Sequence, residues 1–415
     1  MTRRPPASFL FLQGPPGPFF AQLAAGLKAE GHRCCRINFH GGDWLDWRGA
    51  AYDFTGDLKA WPDYLASVLD EKGVTDIVLF GDCRPLHEAA ISLANDRRLA
   101  VHVFEEGYVR PDWVTLERGG VNGHSSLPRD PQEYLHLAHR LPPIPVYPPI
   151  PASFRQRAIE AFGYFAADCL LHFRFARYRS HRPYPAAAEL AGWALRFAVR
   201  PIARLRAALT FGRLGQRRYF VLPLQLDSDH QIRTHSPFAG MTEAIERIVA
   251  SFAEHASADT VLVVKEHPLD NGLKGWRGIV RKIASNSNIA RRVLFLEHGH
   301  IDALVARAAG VVTVNSTTGT LALSAGTPVA VLGVAVYDLA GVTHHGGLDT
   351  FWADPGRPQL EIYEAFRRVL VARCLLRGGF SNAEARAHLV PAAVARLCQS
   401  METSSADAPA VKVRA

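Results

Sequence analysis

Short apolar runs that stop abruptly in polar clusters, with helical stretches between them, leave this chain few architectures to choose from. Ser8–Gln13 (SFLFLQ) stops at Gly14-Pro15-Pro16-Gly17-Pro18, and Cys34–Phe39 gives way to His40-Gly41-Gly42-Asp43. Asp76–Phe80 (DIVLF) stops at Gly81-Asp82-Cys83-Arg84-Pro85, and Leu99–Phe104 at Glu105-Glu106-Gly107-Tyr108-Val109-Arg110. Phe19–Glu30, Trp61–Glu71 and Leu86–Asp96 read as the intervening helices; the first carries Phe19, Phe20, Leu23, Ala24 and Leu27 on one face and is closed by Gly31. Strands alternating with helices predict a doubly wound α/β domain with a parallel sheet. Such sheets bind ligands at the carboxyl ends of their strands. Gln13, Asn38, Asp82, Arg84, Glu105, Glu106 and Arg110 are the polar residues expected there.

The same grammar resumes after a break. Tyr219–Leu224 opens a second series, followed by a helix at Met241–Ala256 and strands at Thr260–Lys265, Val293–Leu296, Gly310–Val314 and Pro328–Leu332. A helix is expected at Ile301–Ala309 and another beginning at Leu321. The 415 residues suffice for two domains with real cores. The expected division is an N-terminal Rossmann-like domain over 1–140, a linker and helical segment over 141–218, and a second Rossmann-like domain over 219–355. C-terminal helices over 356–400 (Gln359–Arg377 and Asn382–Cys398) and a disordered tail over 401–415 complete it.

The break itself is Pro-rich from Leu141 to Pro151 (LPPIPVYPPIP), then strongly basic. Leu171–Arg218 holds eleven arginines against Glu189, so the net charge of +8 belongs to this stretch and leaves the remainder near −2. Arg174, Arg177, Arg179, Arg196, Arg200 and Arg204 interleave with aromatic residues, Trp193 among them. Helices with an aromatic and a basic face suit a surface of anionic lipid. A basic helical pair packed on the core is a second reading, and a nucleic-acid groove a third that no accompanying motif supports. No apolar run is long enough to span a bilayer, and the N-terminus reads as a first strand and not a signal peptide, so a cytoplasmic protein is expected. The six cysteines (34, 35, 83, 169, 374, 398) show no metal-ligand spacing and are expected to be reduced.

Val221–Phe238 (VLPLQLDSDHQIRTHSPF) is the densest strand end: Asp227 and Asp229, then His230, Gln231, Arg233 and His235. Asn315-Ser316-Thr317-Thr318-Gly319, at a strand-to-helix junction, offers hydroxyls and free N–H groups to a phosphate, with Gly319 admitting a close approach. Lys265-Glu266-His267-Pro268 adds a cation and an imidazole at another strand end. A cleft joining Glu105 or Glu106 to Asp227 or Asp229 suits glycosyl chemistry, in which one carboxylate attacks or stabilises and the other moves a proton. No G-x-G-x-x-G follows the first strand, which argues against a dinucleotide oxidoreductase.

Taken together, Leu12–Phe20, Asn38–Asp43, Phe80–Pro85, Glu105–Trp113, Pro223–Phe238, Lys265–Pro268 and Asn315–Gly319 resemble the capsule polysaccharide synthesis proteins of the KpsS/LipB type. The resemblance covers most of residues 8 to 355. It implies a GT-B architecture, two Rossmann-like domains facing a cleft, and a retaining β-Kdo transferase. The donor would be CMP-Kdo and the acceptor lysophosphatidylglycerol, the start of a capsule's lipid linker. It implies work at the cytoplasmic face of the inner membrane, beside a capsule synthesis and export complex, with no cofactor, no metal and no nucleic acid. A Gln-x-x-x-Asp pattern in related transferases maps onto Gln225 and Asp229. Their ribose-binding glutamate has no counterpart in Thr320-Leu321-Ala322. On this resemblance Asp229 meets the anomeric carbon, Glu105 or Glu106 deprotonates the acceptor, and Lys265, His267, Asn315, Ser316, Thr317, Thr318 and Gly319 surround the nucleotide. Gln13, Asn38, Asp82, Arg84, Arg110 and His235 would meet sugar or acceptor. A non-catalytic component of the export assembly and a GT-B-like epimerase acting on UDP-sugars are the alternatives.

Overall fold

The structure, a computed structural model, describes residues 5–47, 49–151, 154–180, 184–226 and 230–399. Asp227, Asp229 and the tail 401–415 lie outside the described residues. The first sheet contains β1 (Ser8–Phe11), β2 (Arg33–Asn38), β3 (Tyr52–Asp53), β4 (Asp76–Phe80), β5 (Ala100–Glu106) and β6 (Trp113–Arg118). The second contains β7 (Tyr219–Pro223), β8 (Val261–Lys265), β9 (Val293–Leu296), β10 (Gly310–Thr313) and β11 (Val329–Val331). A last strand, β12 (Leu375–Arg377), returns to the first sheet.

The orders are β12-β6-β5-β4-β1-β2-β3 and β11-β10-β7-β8-β9. Every pairing among β1–β5 and among β7–β11 is parallel; β6 is antiparallel to both β5 and β12. Within each half the parallel strands are therefore ordered 3-2-1-4-5, the doubly wound arrangement expected. Parallel strands covered on both faces are largely apolar: β1, β7 and β8 are buried along their whole length, with Ser8 and Lys265 the polar residues at their ends.

The helices follow their spacing. Phe19–Ala29 buries Phe19, Phe20, Leu23, Ala24 and Leu27. Met241–His255 buries Met241, Ala244, Ile245, Ile248, Val249 and Phe252, an i, i+3, i+4, i+7 pattern against the second sheet. Phe19 and Phe20 pack edge-on against Phe104. Each ring, fully buried, contributes about 1.5–3 kcal/mol.

One expectation is corrected. Gln359–Arg377 is not one helix: the helix spans Leu360–Arg373, and Leu375–Arg377 extends to pair with Trp113–Thr115 of β6. The C-terminal segment also packs its helix Ala383–Cys398 on Phe19–Ala29, where a Cβ on Gly26 would lie 2.7 Å from Val394. Residues beyond 356 thus complete the N-terminal half. Strand β6 was unforeseen as well; Gly107 makes the tight return possible, since a Cβ there would sit 2.2 Å from the Trp113 carbonyl oxygen.

The segment between the halves forms the helices Phe154–Leu170 and Ala186–Leu214. Pro201 lies inside the second, forgoing one backbone bond to Phe197. Among the described residues no helix is long and apolar enough to cross a membrane.

Candidate active site

In each sheet the first and fourth strands are neighbours and the chain leaves them in opposite directions, which opens a crevice beyond their carboxyl ends. In the N-terminal half, Gln13 follows β1 and Arg84 follows β4; Arg84 Nη1 donates to Gln13 Oε1 at 2.7 Å, and Gln13 Nε2 to Tyr178 Oη at 3.0 Å. In the C-terminal half, Gln225 follows β7 and Asn315 follows β10; Gln225 Nε2 donates to Asn315 Oδ1 at 2.7 Å, and Gln225 Oε1 accepts the Asn315 N–H at 3.2 Å. Each crevice is thus floored by a buried glutamine braced against the fourth strand's loop. Gln225 also fixes the point at which the chain enters the stretch carrying Asp227 and Asp229.

The halves meet at the end of β4. Asp82 accepts from the Val121 N–H at 2.9 Å, from His124 Nδ1 at 3.1 Å and from Cys83 Sγ at 3.2 Å. Hydrogen bonds to its ionised form outweigh burial and hold Asp82 below the usual carboxylate range. Across the seam His235 brings its Nε2 within 3.4 Å of Cys83 Sγ and its ring edge-on to His124, with centroids 4.6 Å apart. Burial lowers His235 to about 4, so this ring is neutral at physiological pH. Further along, Tyr108 donates to Glu117 and accepts the Asn122 N–H at 2.6 Å, while its carbonyl accepts from Thr320 Oγ1 of the opposite half at 2.7 Å.

Glu105 and Glu106 end β5 as expected. Glu105 Oε1 accepts the Glu106 N–H at 2.9 Å, and a Cβ on Gly81 would come within 3.3 Å of Glu105 Oε2. Glu106 lies 3.8 Å from the guanidinium groups of both Arg110 and Arg157. Those cations also act across the cleft: burial, then the positive charges of Arg110, Lys265, Arg157 and Arg196, lower His267 to about 3. His267 Nδ1 accepts the Leu269 N–H at 3.1 Å. The neutral ring therefore carries its proton on Nε2, as a donor without charge.

Other expected residues are engaged within the protein. Lys265 is buried and lowered to about 8, mainly by desolvation, and its Nζ donates to the carbonyls of Glu266 at 2.8 Å and Glu297 at 3.4 Å. Asn38 is buried, donating to Asp53 at 3.0 Å and accepting from Arg36 at 3.1 Å, which ties β2 to β3. In the Ser/Thr turn, Ser316 Oγ accepts the Thr318 N–H at 3.2 Å and donates to Thr318 Oγ1 at 3.1 Å; Thr317 precedes the helix Thr318–Ser324. Gly319 was expected to admit a ligand; instead a Cβ there would lie 2.3 Å from Tyr337 Oη, whose hydroxyl bonds the Ser316 carbonyl. The glycine makes room for a tyrosine.

The basic segment divides in two. Arg174 and Arg196, expected on a lipid face, are paired within the protein, Arg174 with Asp53 at 2.5 Å and Arg196 with Glu266 at 3.0 Å. Trp193 lies tilted beside Phe197, with Arg196 over its ring. Arg177 and Arg179, with Tyr178 between them, line a cavity of about 170 Å³ together with Gln13 and Arg84. Arg200 and Arg204 are exposed. So is an apolar stripe at helical spacing, Leu195, Ile202, Leu205 and Leu209, and the preceding segment exposes Ile159, Phe162, Leu170 and Phe173, the last 80% accessible.

Tyr178, Arg157, Cys83 and His124 enter this geometry without having been foreseen. Tyr178 sits between two arginines in a stretch marked only by its basic composition, and His124 carries no signal beyond a glycine-rich turn.

The family described as capsule polysaccharide biosynthesis protein matches residues 75–381. The capsule polysaccharide export protein KpsS of Escherichia coli is 32% identical over 369 residues, covering 88% of this chain and 94% of that protein. The capsule polysaccharide modification protein LipB of Neisseria meningitidis serogroup B is 32% identical over 384 residues, covering 90% and 91%. Among solved structures, the beta Kdo 2,7 transferase of Thermosulfurimonas dismutans KpsC aligns with a TM-score of 0.44 at 15% identity, over 94% of this chain and 99% of that one. Staphylococcus aureus MnaA with UDP aligns with a TM-score of 0.34 at 12% identity, over 94% of each. Matched by the family over residues 75–381 and by relatives 32% identical over 88% and 90% of its length, the chain belongs to the capsule polysaccharide biosynthesis protein family.

Proposed function

We propose that this protein is a retaining β-Kdo transferase that moves Kdo from CMP-Kdo to lysophosphatidylglycerol at the cytoplasmic face of the inner membrane. The observation that carries the reading is the convergence of positive charge on His267: Arg110 from the N-terminal half, Arg157 and Arg196 from the helices between the halves, and Lys265 from the C-terminal half. A donor bearing a phosphate and a sugar carboxylate brings two negative charges, and such a field favours it. The neutral His267 adds an Nε2–H donor after β8, and Ser316, Thr317 and Thr318 add hydroxyls after β10 of the same sheet.

The chemistry then runs in two displacements. The Asp229 carboxylate attacks the anomeric carbon, and the carbon–oxygen bond to CMP breaks with its electron pair leaving on the phosphate. Glu105 or Glu106 next takes the proton of the acceptor hydroxyl, whose oxygen attacks the same carbon and releases Asp229. Two inversions give retention. CMP leaves readily, so charge stabilisation matters more than a proton donor, and no metal takes part in this step. Arg84 or Arg110 meets the Kdo carboxylate. The cavity bounded by Arg84, Arg177, Tyr178 and Arg179 suits an anionic headgroup, and the exposed apolar stripe with Arg200 and Arg204 suits its lipid surface.

The test is transfer from CMP-Kdo, generated in situ, to a fluorescent lysophosphatidylglycerol, with wild type and Asp229→Ala side by side. A product one Kdo heavier, absent in the variant, is expected. Folded wild type that gives no product and binds no CMP by calorimetry would replace this reading with a non-catalytic role in capsule assembly.

A further inference from the structure

One group of side chains stands apart from the phosphate cradle just described. Asp82, Cys83, His124 and His235 each turn one donor atom inward, and all four atoms lie within 4.8 Å of one another. The separations are 3.4 Å from Cys83 Sγ to His235 Nε2, 3.2 Å from Cys83 Sγ to Asp82 Oδ1 and 3.1 Å from His124 Nδ1 to Asp82 Oδ2. A tetrahedral zinc ion with bonds of about 2.0–2.3 Å places its ligands roughly 3.3–3.6 Å apart. Asp82 offers one oxygen to an ion, so two edges of one tetrahedron are nearly drawn already, and with the four donor atoms within 4.8 Å of one another the widest gap needs to close by only about 1.2 Å.

From these distances we propose that Asp82, Cys83, His124 and His235 form a mononuclear site for a zinc-class divalent metal that latches the two halves together. Three ligands belong to the N-terminal half and His235 to the other, so the ion would bridge the seam. One thiolate, two imidazoles and one carboxylate suit zinc or cobalt and not calcium or magnesium, which take oxygen ligands. On binding, the Cys83 thiol gives its proton to solvent and its sulfur a bond to the metal.

The surroundings fit a built site. The Val121 N–H holds the second oxygen of Asp82, and the His235 carbonyl accepts the Val334 N–H at 2.7 Å, orienting ligands from behind. Gly123 and Gly120 keep the approach clear: a Cβ on Gly123 would lie 2.2 Å from His235 Nδ1, and one on Gly120 would lie 2.6 Å from the His124 Cβ and 3.2 Å from Asp82 Oδ2. Asp82, Cys83 and His235 are buried, while His124 is half exposed and gives an ion a way in. The assignment makes Asp82 and His235 metal ligands and not sugar contacts.

The full chain, equilibrated with zinc and desalted, is expected to retain about one ion per molecule, the stoichiometry of a single closed site. The cobalt-loaded form is expected to show a thiolate-to-cobalt charge-transfer band with tetrahedral ligand-field bands. Cys83→Ser should remove the charge-transfer band, and His124→Ala, at a half-exposed ring whose loss leaves the fold intact, should lose most of the bound ion. Zinc should raise the melting temperature of wild type and of neither variant. A wild type that keeps no ion after desalting overturns the proposal, as does a metal content or cobalt spectrum unchanged in His124→Ala. These readouts need neither donor nor acceptor, so the transferase reading stands or falls separately.

Discussion

Arg196→Ala separates two roles that one arginine cannot fill together. Its guanidinium lies 3.0 Å from Glu266 and 4.0 Å from Asp270, with only 16% of the arginine and 9% of the glutamate side chain exposed. Around this pair the helix Ala186–Leu214 is tied to the C-terminal half by Asn271 donating to Glu189 at 2.9 Å, and Gly192 lets Leu273 approach. Removing one partner of a fully buried pair costs about 3–5 kcal/mol. This pair touches solvent, and Glu266 can escape by taking a proton, so about 2 kcal/mol is expected at pH 8.5. Burial already raises Glu266 to about 7, with Arg196 pulling the other way and Asp270 and Glu297 pushing further up. Below pH 7 the folded protein holds Glu266 neutral with or without Arg196, so the loss should shrink there; above it, the variant must bear an unpaired charge or keep a proton. Calorimetry at pH 6 and 8.5, with hydrogen exchange on Ala186–Leu214, measures both. Arg200→Ala and Arg204→Ala, exposed, should change stability by less than about 0.5 kcal/mol while weakening binding to anionic vesicles. Full stability of Arg196→Ala at pH 8.5, together with lost vesicle binding, would refute the pairing and return Arg196 to the lipid surface.

Burial raises Glu117 to about 7, above its ordinary 4.5, so the folded state holds that proton more tightly and stability falls as pH rises from 4.5 to 7. Glu117→Gln should flatten that fall, by up to about 3 kcal/mol at 1.36 kcal/mol per pH unit, in denaturant titrations at pH 5 and 8. Gly319→Ala should cost about 1–3 kcal/mol by overpacking Tyr337, lowering the melting temperature with or without nucleotide; an unchanged melt with weaker CMP binding would restore a ligand-facing role. Ile202→Ser with Leu205→Ser should leave the melt within about 0.5 kcal/mol and reduce co-sedimentation with anionic vesicles, and unchanged co-sedimentation would remove the stripe from the membrane.

What could be read from the chain followed from how far apart the interacting residues lie. Strand β8 and the helix Met241–His255 carry their burial pattern locally, so apolar runs and i, i+4 spacing reveal them. Strand β12 does not: Leu375-Leu376 continues a helical pattern, and only β6, far away in sequence, draws it into a sheet. The arginines show the same limit. Composition marks a basic segment, yet whether Arg196 meets lipid or Glu266 depends on the rotation of one helix against another domain. His124 and Cys83 show no metal-ligand spacing in sequence, and the cluster exists only once His235 arrives from the other half.

The strand ends were legible because they obey a rule of topology, and the rule also accounts for the braces between them. A 3-2-1-4-5 order puts the residues after the first and fourth strands side by side at the point where the chain diverges. Both halves use that adjacency alike. Gln13 meets Arg84 at 2.7 Å, and Gln225 meets Asn315 at 2.7 Å. A buried glutamine can accept and donate at once, so it can hold a neighbouring loop without adding charge to an anion site. In the N-terminal half the brace leaves a cation, Arg84, at the crevice; in the C-terminal half it leaves the uncharged hydroxyls of the Ser/Thr turn. The difference matches what each half would hold in the proposed transfer: a carboxylate or headgroup on one side, a nucleotide phosphate on the other.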